Sequence, residues 1–215
     1  MTVVSVLLIF PAEQKTQVAT PQQAPKPSLQ PEHWIAAGFG RLAAEGVEAV
    51  RVEVLARDLG VSKGSFYWHF HDREDLLEKM LARWEADDVA WLASATTSGH
   101  GAATRWAKFI ERAASPERLR TEAGLRAWAR RDQLVAARVA RVERNRAGFI
   151  AIVLREIGFA PRAADEWSQV ALLLYLGWLD RVTRDAEFEA AGATLSECLS
   201  NLILAASART PNSRR

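Results

Sequence analysis

Apolar residues recur at helical spacing from Pro31 onward, and polar breakers cut the pattern into segments. Ile35, Phe39 and Leu42 lie at offsets of four and three and form one stripe, predicting a first helix over about Pro31–Glu45. Gly46 is placed to stop it. Val52, Leu55, Ala56 and Leu59 predict a second helix. After Gly60-Val61-Ser62, Phe66 and Phe70 mark the inner face of a short third one. Further breaks are expected at His71-Asp72, 98–101, Ser115-Pro116, Arg131-Asp132, 158–161 and Ala191-Gly192. No segment alternates with period two. The predicted class is therefore all-α, with about nine helices, two of them long enough to be bundle members.

The turn between the second and third helices carries the most information. Two helices crossing steeply over a short turn need a small residue at their contact and a permissive backbone between them. Ala56 supplies the first, Gly60 the second, and Phe66 fills the wedge, while Ser62 is placed to cap the third helix. These spacings predict a three-helix, helix-turn-helix DNA-binding domain over residues 31–80, joined to a C-terminal helical bundle over 81–209. Residues 1–30 are expected to form a disordered, Pro- and Gln-rich leader. An apolar run at 3–10 is too short to span a bilayer, which needs about 20 residues, and lacks a preceding charge for secretion. It reads as a loose leader or a misplaced start, with a peripheral strand or membrane-touching segment as alternatives. The Pro- and Gln-rich stretch that follows is expected to be an extended linker, and residues 210–215 a disordered tail.

Composition changes this picture little. The chain has 215 residues, 49% apolar and 25% charged, with a net charge of +2, too small to announce a nucleic-acid binder. Its single cysteine, Cys198, excludes an internal disulfide and a multi-cysteine zinc site, and reads as a packed thiol. His33, His69, His71 and His100 show no metal-ligand spacing, and no nucleophile–base arrangement or phosphate loop is visible. No cofactor, metal or catalytic residue is expected, and a cytoplasmic location is. The stretch 31–85 holds seven basic and ten acidic residues, so any DNA-facing surface there must be a local patch. The stretch 105–155 holds thirteen basic and five acidic residues, read as solvated helix faces or, more sharply, as attraction to DNA flanks or an anionic effector.

Residues 60–70 (GVSKGSFYWHF) and 72–77 (DREDLL), with Ala36-Ala37, Glu45-Gly46 and Leu55-Ala56 upstream, resemble the signature of the TetR/AcrR family of transcriptional regulators. The likeness spans about 50 residues, 34–80. It implies that the third helix enters the major groove. Ser62, Lys63, Gly64 and Ser65 would then face bases or nearby backbone, and Tyr67 and His69 would reach phosphates. Trp68 would lie against a base edge or sugar, and Arg73 would hold another phosphate. The chemistry agrees, because short groups permit close approach and the two cations neutralise phosphate. One departure is Val50-Arg51, where the family commonly places a hydroxyl. Arg51 can substitute an ionic contact, but a side-chain cap worth about 1 kcal/mol is lost.

The C-terminal part, from Trp84, contains six of the eight tryptophans. Residues 164–185 include 170–179, apolar nearly all round, and a last helix at 194–208 adds Leu195, Cys198, Leu199, Leu202 and Ile203. The resemblance implies a homodimer through these two helices and hence a palindromic double-stranded DNA operator. Trp91, Trp106, Phe109, Trp128, Phe149 and Trp178 are candidates to line a pocket for an apolar or aromatic effector, although most such rings at helical spacing are simply core. The expected function is a repressor released from DNA by a small molecule. The alternatives are an activator, a regulator without a ligand, or a small-molecule binder with a vestigial helix-turn-helix.

Overall fold

A computed structural model describes residues 29–184 and Asn201. The predicted leader up to residue 28, the break at Ala191-Gly192, the helix at 194–208 with Cys198, and the tail lie outside the described residues, Asn201 excepted. The described chain is helical: α1 Pro31–Glu45, a single 3-10 turn Val47–Ala49, α2 Val52–Asp58, α3 Lys63–Tyr67, α4 Arg73–Thr97, α5 Ala102–Ala113, α6 Pro116–Ala129, α7 Gln133–Ile157 and α8 Pro161–Val182. That is eight α-helices and no strand among the described residues. Three of them, of 25, 25 and 22 residues, are long, where the pattern had suggested two. The short 3-10 turn was not anticipated.

Local chemistry accounts for most of the boundaries. Pro opens α1, α6 and α8 at the first helical positions, where its missing N–H costs nothing. Asp72 caps α4 by accepting from the Asp75 N–H, and Asp132 caps α7 by accepting from the Leu134 and Val135 N–H groups. Gly158 ends α7 at φ 115°, in left-handed space that side chains avoid.

α1 buries Leu42 as expected, but the centre of its inner face is shifted from Ile35 and Phe39 to Trp34 and Gly38. Trp34, Gly38 and Leu42 face inward, while Ile35 and Phe39 are half-buried at its margin. The indole is the largest apolar group available to the helix, and Gly38 lets α4 come close beneath it. A Cβ at Gly38 would stand 2.6 Å from Met80 Sδ. Trp34 meets Phe66 edge-on at 5.3 Å, and Phe66 stacks on Phe70 at 5.1 Å.

The core has three centres. The first joins α1–α4 to Leu125, Val135, Val139 and Val142 of α6 and α7, so the N-terminal helices share a core with the C-terminal body. A second lies between α4, α5, α7 and α8, and a third between α6, α7 and α8. α4 runs unbroken through the boundary placed at 80/81, and the two parts are one continuous packing unit at that point.

Candidate functional site

The α2–α3 pair forms the expected helix-turn-helix. α2 ends where Leu59 N–H donates to Leu55 O, and Val61 N–H reaches back 2.9 Å to Ala56 O across Gly60, at φ 66°. Only a residue without a Cβ takes that conformation without strain. Arg41 of α1 fixes the angle from outside. Its Nε and Nη2 lie 2.6 and 2.7 Å from the two carboxylate oxygens of Asp58, the last residue of α2.

α3 divides its side chains cleanly. Phe66 is fully buried, and Phe70 just after the helix is nearly so. Tyr67 and Trp68 are 60% and 87% exposed. Burying a large apolar side chain is worth about 1.5–3 kcal/mol, so two adjacent outward rings leave a sizeable gain unrealised in the isolated chain. Ser62, Lys63 and Gly64 are exposed beside them, and Ser65 and His69 are half-buried. Ser62 occupies the cap position but its hydroxyl makes no capping bond, so the expected cap is absent. The hydroxyl is held at the surface by an extended backbone instead. A Cβ on Gly64 would touch only Ser62 Oγ, at 3.6 Å, so nothing inside the chain demands glycine there.

Electrostatics add detail that sequence reasoning missed. Lys63 Nζ lies 2.8 Å from Glu53 of α2, and this ammonium holds the Glu53 carboxyl below its usual range. A phosphate at Lys63 would have to replace that carboxylate. Arg51 is exposed at the head of α2 and makes no capping bond. Arg73 is turned inward: Nε donates to Val50 O at 2.6 Å and Nη2 to Val47 O at 2.7 Å. It therefore locks the turn before α2, and only its Nη1, 3.3 Å from Glu74, faces outward. Lys79 pins the other end, with Nζ 3.2 Å from His69 O and 4.9 Å from the Phe70 ring centre. Basic residues in the first turns of α4 were the available signal for both pins.

Of the six aromatic residues expected around an effector, four gather between α4, α5 and α7. Trp91, Trp106 and Phe109 line a cavity, and Phe149 backs it at 5.4 Å from Phe109 and 5.8 Å from Trp91. Trp128 packs instead against the N-terminal core, and Trp178 lies beside Tyr175 in the third core centre. The cavity holds about 20 Å³, the room of one water, and shares Trp91, Arg112 and Arg118 with an open groove of about 850 Å³. The far side of that groove is α1, at Ile35, Phe39 and Ala43.

Beside the cavity lies a buried ionic network. Arg146 Nη2 is 2.9 Å from Asp88 and 2.5 Å from Glu122, while Arg118 pairs with Asp88 and Arg126 with Glu143. Burial pushes the Glu122 carboxyl up, but Arg146, Arg118 and Arg126 outweigh it and hold it below the usual carboxylate range. Tyr175 is pushed up by burial. His33 Nδ1 accepts from Gln30 N–H at the start of α1, and His71 pairs with Asp72. Among the described residues no group of His, Cys, Asp and Glu could hold a metal, and no helix is long and apolar enough to cross a membrane.

Residues 35–80 match the family model for bacterial regulatory proteins of the tetR family. No curated protein matches the chain. Among solved structures, a transcriptional regulator from Rhodococcus sp. Rha1 superposes with a TM-score of 0.68 at 19% identity, covering 85% of this chain and all of that one. A protein from Saccharomonospora viridis, described as a transcriptional regulator in complex with choline, gives 0.69 at 17% identity over 80% of this chain and 94% of its own. The regulator FadR from Bacillus subtilis, in complex with stearoyl-CoA, gives 0.55 at 16% identity over 79% and 97%.

Proposed function

We propose that the chain is a sequence-specific transcriptional repressor released from its operator by a small molecule, on the premise that residues 35–80 match the tetR-family model and the described chain shares the all-helical fold of solved regulators. The observation that carries the reading is the divided face of α3. Phe66 and Phe70 satisfy the core, leaving Lys63, Tyr67 and Trp68 outward beside exposed Ser62 and Gly64. Polar-tipped rings, short groups and a cation are what a duplex groove receives: close backbone approach, stacking or edge contact, and phosphate neutralisation. Arg51 and His69 extend this surface at its margins.

Homodimerisation is part of the proposal. α8 buries Leu172, Tyr175, Trp178 and Leu179 but leaves Val170, Leu173 and Leu174 exposed at 40, 65 and 42%. That strip explains why 170–179 reads as apolar on every side: the monomer core uses only one of them. A two-fold dimer sets two α3 helices in successive major grooves of a palindrome. The aromatic cavity supports a ligand-responsive body, and two structural neighbours are complexes with choline and with stearoyl-CoA. An effector that favours a dimer with wrongly spaced α3 helices would shift the population off DNA.

Gel-shift titration against the chain's own upstream region tests the DNA reading. Binding is expected to weaken as salt rises. Lys63→Ala should weaken it and lower the salt slope by about one ion, and Tyr67→Phe should weaken it through a lost hydroxyl contact. Variants that match the wild type at every salt concentration would remove both assignments.

A further inference from the structure

The wall of the small cavity carries an imbalance of charge that points to the ligand, with Arg112, Arg118 and Arg146 against Asp88. Three guanidiniums line it, Arg112 and Arg118 on the walls of both cavity and groove and Arg146 on the inner wall, and a fourth, Arg126, reaches the same network through Glu122. Three carboxylates meet them, and each is already engaged; Glu32 and Glu117 also line the groove, and its remaining cation, Arg83, is paired with Asp87. Asp88 holds Arg118 and Arg146, Glu122 holds Arg146 and lies within 3.5 Å of Arg126, and Glu143 holds Arg126. Arg112 is the one left over. Among the described residues it forms no ion pair. Its Nη2 makes only a long 3.4 Å bond to Asp87 O, and its Nε is buried with no acceptor.

Its place is specific. The guanidinium lies 5.1 Å from the centre of the Trp91 ring, at the point where the small cavity meets the open groove. Inside that point the walls are apolar, with Trp106, Phe109, Ile110, Ile150 and Leu172. Partial burial and the neighbouring cations Arg118 and Arg146 disfavour its charge, holding it below the usual arginine range. A cation kept in such surroundings with an orphaned donor is stabilised by an anion that brings two acceptor oxygens. A neutral ligand could offer that donor only an uncharged acceptor, weaker than a carboxylate, and a quaternary ammonium would meet three guanidiniums.

We infer that this site binds an organic monocarboxylate with an aromatic or aliphatic body, its carboxylate on Arg112 and its body among Trp91, Trp106, Phe109 and Ile150. The inference rests on the effector-responsive reading above and names the chemical class of that effector. It also says how the signal would leave the site. A cavity of about 20 Å³ must widen to admit such a body, and the groove it widens into is closed on the other side by Ile35 and Phe39 of α1. The ligand thus presses on the first helix of the DNA-binding domain.

The test is direct binding to the full chain without DNA, by calorimetry and by quenching of tryptophan fluorescence. The probes are phenylacetate, 4-phenylbutyrate and octanoate, their three amides, and benzyltrimethylammonium. At least one carboxylate is expected to bind, on the order of tenfold or more tighter than its amide, and the ammonium not to compete. Arg112→Gln should weaken that carboxylate on the order of 30-fold, as loss of one partner of a desolvated charge pair does, and leave the amide unchanged. Arg112→Lys should keep the preference for the anion while preserving charge and folding. Equal binding of acid and amide, an undiminished preference in Arg112→Gln, or no binding by any carboxylate would each overturn the inference. Because no operator is present, these results stand apart from the gel-shift outcome for Lys63→Ala, and either reading can fail alone.

Discussion

Gly124 lets α6 lie directly against the backbone of α1. A Cβ there would stand 2.7 Å from Leu42 O and 2.9 Å from Leu42 Cγ, contacts that neither backbone can relieve without moving. Alanine in a helix is ordinarily better than glycine by about 0.5–1 kcal/mol, and overpacking of a closed site costs about 1–3 kcal/mol. The clash should win. Gly124→Ala is expected to lower stability in urea unfolding by about 1–2 kcal/mol. Gly148→Ala, exposed on α7 with nothing within 4 Å, should raise it by about 0.5–1 kcal/mol. A gain at Gly124 would mean that α1 and α6 can separate freely. Arg73 teaches a related lesson at this scale. Its motif position suggested a phosphate ligand, while the fold gives two of its donors to Val47 O and Val50 O. A motif fixes where a residue stands, and the carbonyls around it decide which way its donors turn.

Among the elements, those bounded by local chemistry were legible in the sequence. Pro31 and Gly46 mark the limits of α1, Asp72 and Asp132 open α4 and α7, and Gly158-Pro161 separates α7 from α8, all through caps and breakers within a few residues. The ionic network that ties α4, α6 and α7 together was not. Arg146 meets Glu122 across 24 residues and Asp88 across 58, and neither spacing leaves a periodic trace. The excess of basic residues over 105–155 was visible, but which of them were unpaired was not. One consequence is acid sensitivity. The folded Glu122 carboxyl titrates below its ordinary value of about 4.5, so its contribution is complete above that pH and is lost as pH falls through the lower folded value. Urea midpoints are expected to drop steeply below about pH 4.5. Glu122→Gln should be less stable at neutral pH and lose less on acidification. An unchanged acid profile in that variant would show that Glu122 is not the group responsible.

For the whole molecule, the exposed strip on α8 makes the sharpest demand. Leu173 is 65% exposed between Val170 and Leu174, and a charge there cannot be buried cheaply against a second copy. Leu173→Glu is expected to yield a monomer in sedimentation, with each helix-turn-helix intact and operator affinity lost because two half-sites can no longer be held together. A dimer of undiminished stability would place the interface elsewhere. The proposed dimer would need to move very little to change its contact with DNA, and the reason lies in α4. Its 25 residues make a rod of roughly 37 Å, rooted in the body at one end and in the reading domain at the other. A tilt of about 5° at the root swings the far end about 3 Å, close to the 3.4 Å rise of one base pair. In the proposed regulator the helix would work as a lever, so that a disturbance no larger than a side-chain rotation at the cavity would reach the duplex as a misfit of a whole step.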